Sequence, residues 1–226
     1  MPYRPTHRTE ARKAATRERI VGAALDQVAS GGYSSASVQT VARRAGVAVG
    51  TCYRHFPSKA DLFAEVFRRA SQRELDVVTE VSAPDGRPAA ERVAAAVEAF
   101  CRRALAGPVL AYALIAEPVD PSVESERLRL RRGYRDAFAA VLLDGIDAGE
   151  LSPHSAETVA AALVGALGEA LVGPLSGANG NPRANEALVA SLVQFCLNAL
   201  PTHSTERVNR AQPAEPAASP KRSLAA

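Results

Sequence analysis

The segment from Ser37 to Leu62 concentrates side chains that can hydrogen-bond to a polyanion. Its polar and aromatic members are Gln39, Thr40, Thr51, Tyr53, Arg54, His55 and Lys59. Hydroxyls, amides and cations of this kind bond to phosphate oxygens and to base edges. The segment is also in the basic part of the chain, because residues 1–70 carry 12 Lys/Arg and 5 Asp/Glu, whereas the remainder carries 15 and 19. This asymmetry favours a nucleic-acid-binding unit joined to an acidic remainder, although a solvated basic surface is the alternative.

The spacing within this segment predicts two short helices separated by a tight turn. Ser37 is a good N-cap for a helix over Val38–Ala45, and a second helix is expected over Val49–His55. Gly46 between them allows the positive φ that a tight turn needs. The side chains expected to point inward together and form a small core are Val41, Ala42, Val47, Cys52 and Phe56. This is the helix-turn-helix layout, whose second helix enters the major groove of DNA.

The same segment resembles the DNA-binding region of the TetR family of one-component bacterial repressors. The matching positions are Val41-Ala42, Ala45-Gly46-Val47, Gly50-Thr51, Tyr53, His55-Phe56, Ser58-Lys59 and Leu62. The match extends from Ile20 to Phe67, and it departs at Ala48, where Ser or Thr is usual, and at Cys52, where Leu or Ile is usual. The resemblance implies an all-α fold, with an N-terminal three-helix DNA-binding domain and a larger C-terminal helical domain for ligand binding and dimerisation.

The candidate DNA-binding set has ten members. They are Ser37, Gln39, Thr40, Val49, Gly50, Thr51, Tyr53, Arg54, His55 and Lys59. The residues that the resemblance assigns to phosphate contacts are Thr51, Tyr53, His55 and Lys59. The residues that it assigns to the base-facing surface are Gln39, Val49, Gly50 and Arg54. A purely structural role is the alternative for each, and Tyr53, for example, could pack on the fourth helix.

Helix signals dominate the rest of the chain, since Ala and Leu are abundant and alternating β-branched runs are absent. The predicted helices outside the motif cover Glu10–Ala29, a segment from Lys59, 87–106, Val109–Glu117, 122–148, Pro153–Gly173 and Asn185–Leu200. The predicted organisation is a flexible basic arm over 1–9, a DNA-binding domain over 10–67, an effector-binding and dimerisation domain over 68–200, and a disordered tail over 201–226.

The middle helices carry the candidate effector pocket. Its residues are Phe100, Tyr112, Arg127, Arg131, Tyr134 and Phe138. The last four follow 4-3-4 spacing and share a helix face, so two arginines beside two aromatic rings could hold an anionic, partly apolar molecule. The alternative is that these arginines face water or pair with Glu124, Glu126 and Asp136. Glu117, just before Pro118, is expected to be exposed.

The last two predicted helices are the candidate dimer interface. The residues chosen for it are Leu163, Leu167, Leu188, Leu192 and Phe195. Their apolar stripes are wider than a single intrachain face requires, and the small residues between Ala160 and Ala170 permit close helix approach. The alternative is that both helices are buried in the core of the monomer.

Other classes of function lack support in the sequence. No P-loop, G-x-S-x-G, G-x-G-x-x-G or H-E-x-x-H motif is present, so an enzyme is not expected. Cys52 and His55 could approach each other on a helix, but Cys52 is expected to pack inward. The histidines and cysteines have no metal-ligand spacing, and no cofactor is expected.

The sequence also bears on location and partners. Three scattered cysteines favour the reducing cytoplasm, residues 1–20 lack a secretory apolar region, and no uncharged apolar run of membrane-spanning length is present. The expected protein is a homodimeric cytoplasmic regulator, not bound to a membrane. It would repress palindromic operators on double-stranded DNA until a small-molecule effector releases it. The alternative is an architectural DNA-binding protein without an effector.

Overall fold

The structure, a computed structural model, describes residues 7–177 and 181–202. Within these residues the chain forms nine helices and no strand, which confirms the predicted all-α fold. The helices are α1 (His7–Gly31), α2 (Val38–Arg44), α3 (Val49–His55), α4 (Lys59–Val81), α5 (Ala89–Ala106), α6 (Pro108–Ile115), α7 (Pro121–Asp147), α8 (Ala156–Ser176) and α9 (Pro182–Asn198).

The first four helices pack around a small apolar core. Ile20 of α1, Val41 of α2 and Phe63 and Phe67 of α4 have no exposed surface. Packing of this kind supplies most of the stability of short helices such as α2 and α3, which have seven residues each. The core also receives side chains from α6 and α7, namely Ala113, Leu114 and Val123. The N-terminal unit is therefore joined to the later helices by shared apolar packing.

A second, larger core lies between α5, α7, α8 and α9. Val97 of α5, Leu142 of α7, Leu171 of α8 and Cys196 of α9 are fully buried there. α4 crosses from one core to the other without a break, because it gives Phe67 to the first core and Val78 to the second. One rigid helix of 23 residues thus connects the two parts of the chain.

Several predicted helix ends shift by a few residues. α1 begins at His7, so residues 7–9 of the predicted arm are helical, and residues 1–6 lie outside the described residues. α8 begins after Ser155, whose hydroxyl caps the Thr158 N–H, and it ends only at Ser176. α9 begins at Pro182, a position that suits the first turn of a helix. Of the predicted disordered tail, residues 203–226 lie outside the described residues.

α8 is the one helix in the described ranges that is long and apolar enough to cross a membrane by length and composition. Its leucine face is buried in the second core, with Leu163, Leu167 and Leu171 at most 2% exposed. This face of α8 belongs to the second core, and its other positions are exposed or half-buried.

Candidate functional site

The predicted helix-turn-helix is formed by α2 and α3. The Ser37 hydroxyl caps α2 by accepting the Thr40 N–H at 3.2 Å, and it also donates to the Thr40 hydroxyl at 3.1 Å. Gly46 adopts a φ of 64°, which confirms the conformation expected of the turn. α3 begins at Val49 without a side-chain cap, because Ala48 offers only its carbonyl, which accepts the Thr51 N–H at 2.8 Å.

The inner side of this motif is closed as expected. Four of the five predicted inward side chains, Val41, Ala42, Cys52 and Phe56, are at most 4% exposed. The fifth, Val47, is half-buried against the same core. Burial raises the pKa of the Cys52 thiol, so this thiol is held in its protonated form at neutral pH. α3 is thereby anchored by apolar side chains that point away from solvent.

An arginine cluster braces α3 from behind. The Arg17 guanidinium lies 4.5 Å from the centroid of the Phe56 ring and bonds to the Glu65 carboxylate at 2.9 Å. Glu65 also accepts from Arg68 and Arg69 at 2.7–2.9 Å. Burial would raise the pKa of Glu65, but the hydrogen bonds from these three arginines outweigh it and hold the pKa at about 2. The carboxylate is therefore charged across the physiological range and joins α1 to α4, and Arg17 extends this cluster to Phe56 at the end of α3.

The outer side of α2 and α3 presents most of the candidate DNA-binding set to solvent. Tyr53 is 44% exposed and Val49 is 36% exposed. The remaining exposed members are Gln39, Gly50 and Arg54, and the half-buried members are Ser37, Thr40, Thr51, His55 and Lys59. Arg54 donates to the Thr51 hydroxyl at 2.8 Å. At this exposure, part of the Tyr53 side chain is accessible to a partner molecule.

His55 and Lys59 stand at the edge of this face. Burial and the nearby cations Lys13, Arg17 and Arg54 lower the pKa of His55, so its imidazole is neutral at neutral pH and can donate one N–H. Lys59 is the first residue of α4, and its ammonium nitrogen lies 4.9 Å from the centroid of the Tyr33 ring. An ammonium on the N-terminal turn of a helix forms a favourable site for an anion.

A cavity of about 350 Å³ lies between α4, α5, α6, α7 and α8. Three predicted pocket residues, Phe100, Arg131 and Tyr134, line it. Phe138 lines only a small void beside it, and Tyr112 lines neither space. The rings of Phe100 and Tyr134 meet edge to face, with centroids 5.2 Å apart. The predicted set thus contains three residues of the cavity wall, but two of its four aromatic residues, Tyr112 and Phe138, do not line the cavity.

Arg127 does not line the cavity, and its predicted pocket role is wrong. Its side chain is 7% exposed and turns toward the end of α6, where it donates to the carbonyl of Ala113 at 3.0 Å and to that of Glu117. It also bonds to the Glu124 carboxylate at 2.6 Å. Burial lowers the pKa of this guanidinium, against the pull of Glu124. Arg127 therefore fastens α7 to the end of α6.

The expected exposure of Glu117 is also wrong. The residue is 7% exposed, and its carboxylate accepts the N–H groups of Tyr33 and Ser34 at 2.7 and 2.9 Å. A carboxylate with such partners can be buried at a tolerable cost in free energy. These two partners precede Glu117 by more than 80 residues, so no local sequence pattern indicates the contact.

Two polar residues that were not predicted from the sequence, Arg103 and Glu74, also line the cavity. Arg103 of α5 and Glu74 of α4 form a two-point ion pair at 2.6 and 2.8 Å. Arg131 carries no such carboxylate partner in the described residues, and it donates to the Ile115 carbonyl at 3.2 Å. Burial, and then Glu74, raise the pKa of Tyr134, so its hydroxyl stays neutral. The spacing of Phe100 and Arg103 on α5, which places both on one face of the helix, is the signal that could have revealed Arg103.

Three of the predicted interface leucines are core residues. Leu163, Leu167 and Leu192 are at most 8% exposed within a single chain, so they are not available to a partner. Leu188 is half-buried against the second core, and Phe195 is 51% exposed on the outer side of α9. Burial in the monomer core, the alternative given by the sequence, holds for the first three.

Comparison with known proteins agrees with the N-terminal geometry. The model of the family "Bacterial regulatory proteins, tetR family" matches residues 20–66. The chain is 34% identical over 131 residues to the HTH-type transcriptional repressor KstR of Mycobacterium tuberculosis, covering 57% of this chain and 59% of that protein. The region over residues 20–66 is therefore a tetR-family region. For the KstR of Mycolicibacterium smegmatis the identity is also 34%, with 57% and 64% covered, so the chain spans about three-fifths of the length of these two relatives.

Solved structures extend the likeness beyond residues 20–66. The crystal structure of the regulator FadR from Bacillus subtilis in complex with stearoyl-CoA superimposes with a TM-score of 0.67 at 20% identity, covering 80% of this chain and 98% of that one. A transcriptional regulator from Rhodococcus sp. Rha1 gives a TM-score of 0.61 at 26% identity, covering 81% and 97%. The fold of both helical parts is therefore shared with these regulators.

The described residues contain no group of three His, Cys, Asp or Glu side chains that could hold a metal ion. The polar groups that do come together are those of the α2–α3 face and of the cavity wall. Both are suited to reversible binding by hydrogen bonds and charge.

Proposed function

We propose that this protein is a transcriptional repressor that binds a palindromic operator as a homodimer and is released by a small molecule in the cavity. The observation that carries the proposal is the pairing of an exposed, polar α2–α3 face with a largely apolar cavity in the same chain. Residues 10–67, extended to the start of α1 at His7, form the proposed DNA-binding head. Residues 68–200 form the proposed effector and dimerisation domain, and α4 belongs to both.

The proposed DNA contacts follow from the orientation of α3. Its buried side keeps Cys52 and Phe56 in the core, which leaves Tyr53 and Arg54 facing outward. A recognition helix needs such outward hydrogen-bonding groups for base edges and phosphates. Thr51, Tyr53, His55 and Lys59 are proposed as phosphate contacts, and the base-facing set is Gln39, Val49, Gly50 and Arg54.

The proposed effector is an apolar molecule that carries an anionic group. The cavity wall is apolar at Leu110, Leu114 and Leu130, and it has one arginine, Arg131, without a carboxylate partner in the described residues. An anionic group at the open side of the cavity would bond to the exposed Arg131 with charge assistance. Stearoyl-CoA, which the Bacillus subtilis FadR holds, joins an apolar chain to anionic groups and so belongs to this chemical class. The presence of this cavity favours an effector-controlled repressor over an architectural protein.

The proposed dimer uses the outer sides of α8 and α9. Phe195 is a large exposed aromatic residue there, and the exposed positions of α8 include the small residues Ala162, Gly165 and Gly173. Small residues let helices approach closely, and an exposed aromatic ring gains from burial. Phe195→Asp should therefore yield monomers in sedimentation at micromolar concentration, and a monomeric wild type would contradict the dimer.

The test of DNA binding starts with selection of a preferred duplex from a random pool by the wild-type protein. Titrations with that duplex should show weaker binding for Tyr53→Phe and Lys59→Ala. Lys59→Ala should also reduce the slope of log affinity against log salt by about 1, since one phosphate contact is lost. Arg73→Ala, which removes another exposed cation from α4, is the matched control and should leave both quantities unchanged.

Two results would contradict the assignment. One is the absence of any preferred duplex, which would remove the operator from the proposal. The other is unchanged affinity and salt slope for both Tyr53→Phe and Lys59→Ala in proteins whose helical content matches the wild type.

The proposed location is the cytoplasm, where such a regulator meets DNA. No enzymatic activity, metal or cofactor forms part of the proposal. The relatives reported above are named as transcriptional regulators, and the residues brought together here are suited to binding.

A further inference from the structure

We propose that Glu117 is the positioning residue through which the cavity-lining helices fix the orientation of the DNA-binding head. The inference rests on the proposed function, since it concerns how the head is held in place for two half-sites. It adds a specific contact to that function, between the link that follows α6 and the turn that follows α1.

The contact consists of one carboxylate and two backbone N–H groups. Glu117 Oε2 accepts from Tyr33 at 2.7 Å, and Oε1 accepts from Ser34 at 2.9 Å. Both N–H groups come directly after α1, in the turn that leads into α2. Hydrogen bonds to a charged acceptor are about twice as strong as neutral ones. The two bonds together fix both the position and the direction of this turn.

Gly32 provides the close approach that the contact requires. Its φ is 76°, in the left-handed region that favours glycine. A Cβ atom at this position would lie 3.0 Å from both carboxylate oxygens of Glu117. The turn is therefore shaped around this carboxylate by both its backbone conformation and its lack of a side chain.

On the head side, Tyr33 transmits the contact to the proposed phosphate-binding edge. Its ring meets Phe63 and Phe67 of α4 edge to face, with centroids 5.4 and 5.9 Å away. The Lys59 ammonium lies 4.9 Å from the centroid of the same ring. The Tyr33 hydroxyl donates to Asp120, a second carboxylate of the link between α6 and α7. Movement of this link would therefore displace Tyr33 and the start of α4.

On the cavity side, Glu117 is tied to the two helices that flank the link. Arg127 of α7 donates to the carbonyls of Glu117 and Ala113. Arg131, one turn further along α7, lines the cavity and donates to the Ile115 carbonyl at the end of α6. A molecule that draws Arg131 away from Ile115, or that separates α6 from α7, acts directly on the segment that carries Glu117.

Glu150 offers a matched control within the same chain. Its carboxylate accepts the Ala89 N–H at 2.6 Å and so joins the start of α5 to the segment after α7. This is the same kind of bond across a long sequence separation, but neither partner contacts the head. Removing it tests the loss of a carboxylate–amide contact without a change at the head.

The first measurement is hydrogen–deuterium exchange on the full chain without DNA. Glu117→Ala should speed exchange of the Tyr33 and Ser34 amides by about tenfold or more, because both lose a charged acceptor. Glu117→Gln keeps one acceptor oxygen and should give a smaller increase. Glu150→Ala should leave these two amides unchanged and speed exchange at Ala89. Wild-type exchange rates at Tyr33 and Ser34 in Glu117→Ala would overturn the inference.

The second measurement reads orientation through half-site spacing. The duplex selected by the wild-type protein is compared with versions that carry one base pair more or fewer between the half-sites. The wild type and Glu150→Ala should lose affinity by about tenfold on either change, because their heads are held at a fixed separation. Glu117→Ala should bind the selected duplex less tightly, and its affinities for the three spacings should differ by only about twofold.

Each result decides between positioning and mere stabilisation. A steep spacing dependence in Glu117→Ala, whatever its absolute affinity, would overturn the inference. A flat dependence in both alanine variants would do the same, since it would reflect general loosening. If the wild type selects no duplex, the proposed function fails instead, and the exchange measurement still decides whether Glu117 holds the turn after α1.

Discussion

The α2–α3 face and the cavity wall use polar side chains in opposite ways. On the face, Tyr53 and Arg54 extend into solvent, and the charged groups that brace the motif lie behind it, around Glu65. At the cavity wall, Arg103 is already held by Glu74, and Arg131 by a backbone carbonyl. A surface whose polar side chains are already exposed can bind a rigid partner as it stands. At the cavity wall the donors already have partners, so a ligand that bonds to them must break existing bonds and rearrange the wall. A ligand-controlled switch requires this coupling of binding to rearrangement.

Arg127 and Arg131 lie one turn apart on α7, and we expect their substitutions to differ most in the free energy of unfolding. Arg127→Ala should lower the free energy of unfolding by about 3 kcal/mol, because it leaves the buried carbonyls of Ala113 and Glu117 without their donor. Arg131→Ala, which removes an exposed side chain, should change it by less than about 0.5 kcal/mol. Urea unfolding of both variants checks this. Equal losses would mean that Arg131 is also a structural residue.

Glu65 tests whether the head is braced from behind. Its pKa is lowered from the ordinary value of 4.5 to about 2, so the folded state binds its proton less readily than the unfolded state. The stabilisation is therefore fully present above about pH 4.5 and is lost as the pH falls toward about 2. Glu65→Gln should cost about 1–2 kcal/mol at neutral pH, and the gap to the wild type should close on acidification. Urea unfolding at about pH 7 and about pH 3 measures the gap. A gap independent of pH would contradict the ion-pair explanation.

The difference between the two regions also explains which features the sequence could predict. α2 and α3 are specified by neighbours: Ser37 caps α2, and Gly46 supplies the turn. Their ends were predicted to within one residue, even though Ala48 caps α3 only through its backbone carbonyl. The exposed side of the motif follows once the inner side is known, because the helical period fixes the opposite face.

The cavity region depends on partners that are remote in sequence. Periodicity placed Arg127 and Arg131 on the same side of α7, but it does not say which guanidinium reaches a carbonyl and which reaches the cavity. The burial of Glu117 depends on N–H groups more than 80 residues away. An apolar stripe on a helix is equally compatible with burial inside one chain or between two, so Leu163 and Leu192 were assigned to an interface although they belong to the core.

Substitutions at Glu74, the partner of Arg103, and at Arg131 should change ligand affinity modestly and in opposite directions. The fluorescent probe 1-anilinonaphthalene-8-sulfonate joins apolar rings to one anionic group, like the proposed effector. Glu74→Gln frees Arg103 and should tighten binding of this probe about threefold, whereas Arg131→Ala should weaken it by a similar factor. Fluorescence titration gives both values. Glu91→Gln, an exposed change on α5, is the control. Tighter binding in Arg131→Ala would contradict an anionic ligand.

Oxidation at Cys52 should have the smallest effect on DNA binding. Cys52 lies on the buried inner side of the α2–α3 motif. Its thiol is 1% exposed, and burial raises its pKa, so little reactive thiolate is available to an oxidant although it lies in the recognition helix. Treatment with hydrogen peroxide should therefore leave the affinity of the wild-type protein for its selected duplex unchanged, and Cys52→Leu should behave in the same way. If peroxide abolished binding by the wild type but not by Cys52→Leu, the inner side of α3 would have to open in solution. The contrast between a ready DNA face and a rearranging cavity would then no longer hold, because the face would itself be mobile.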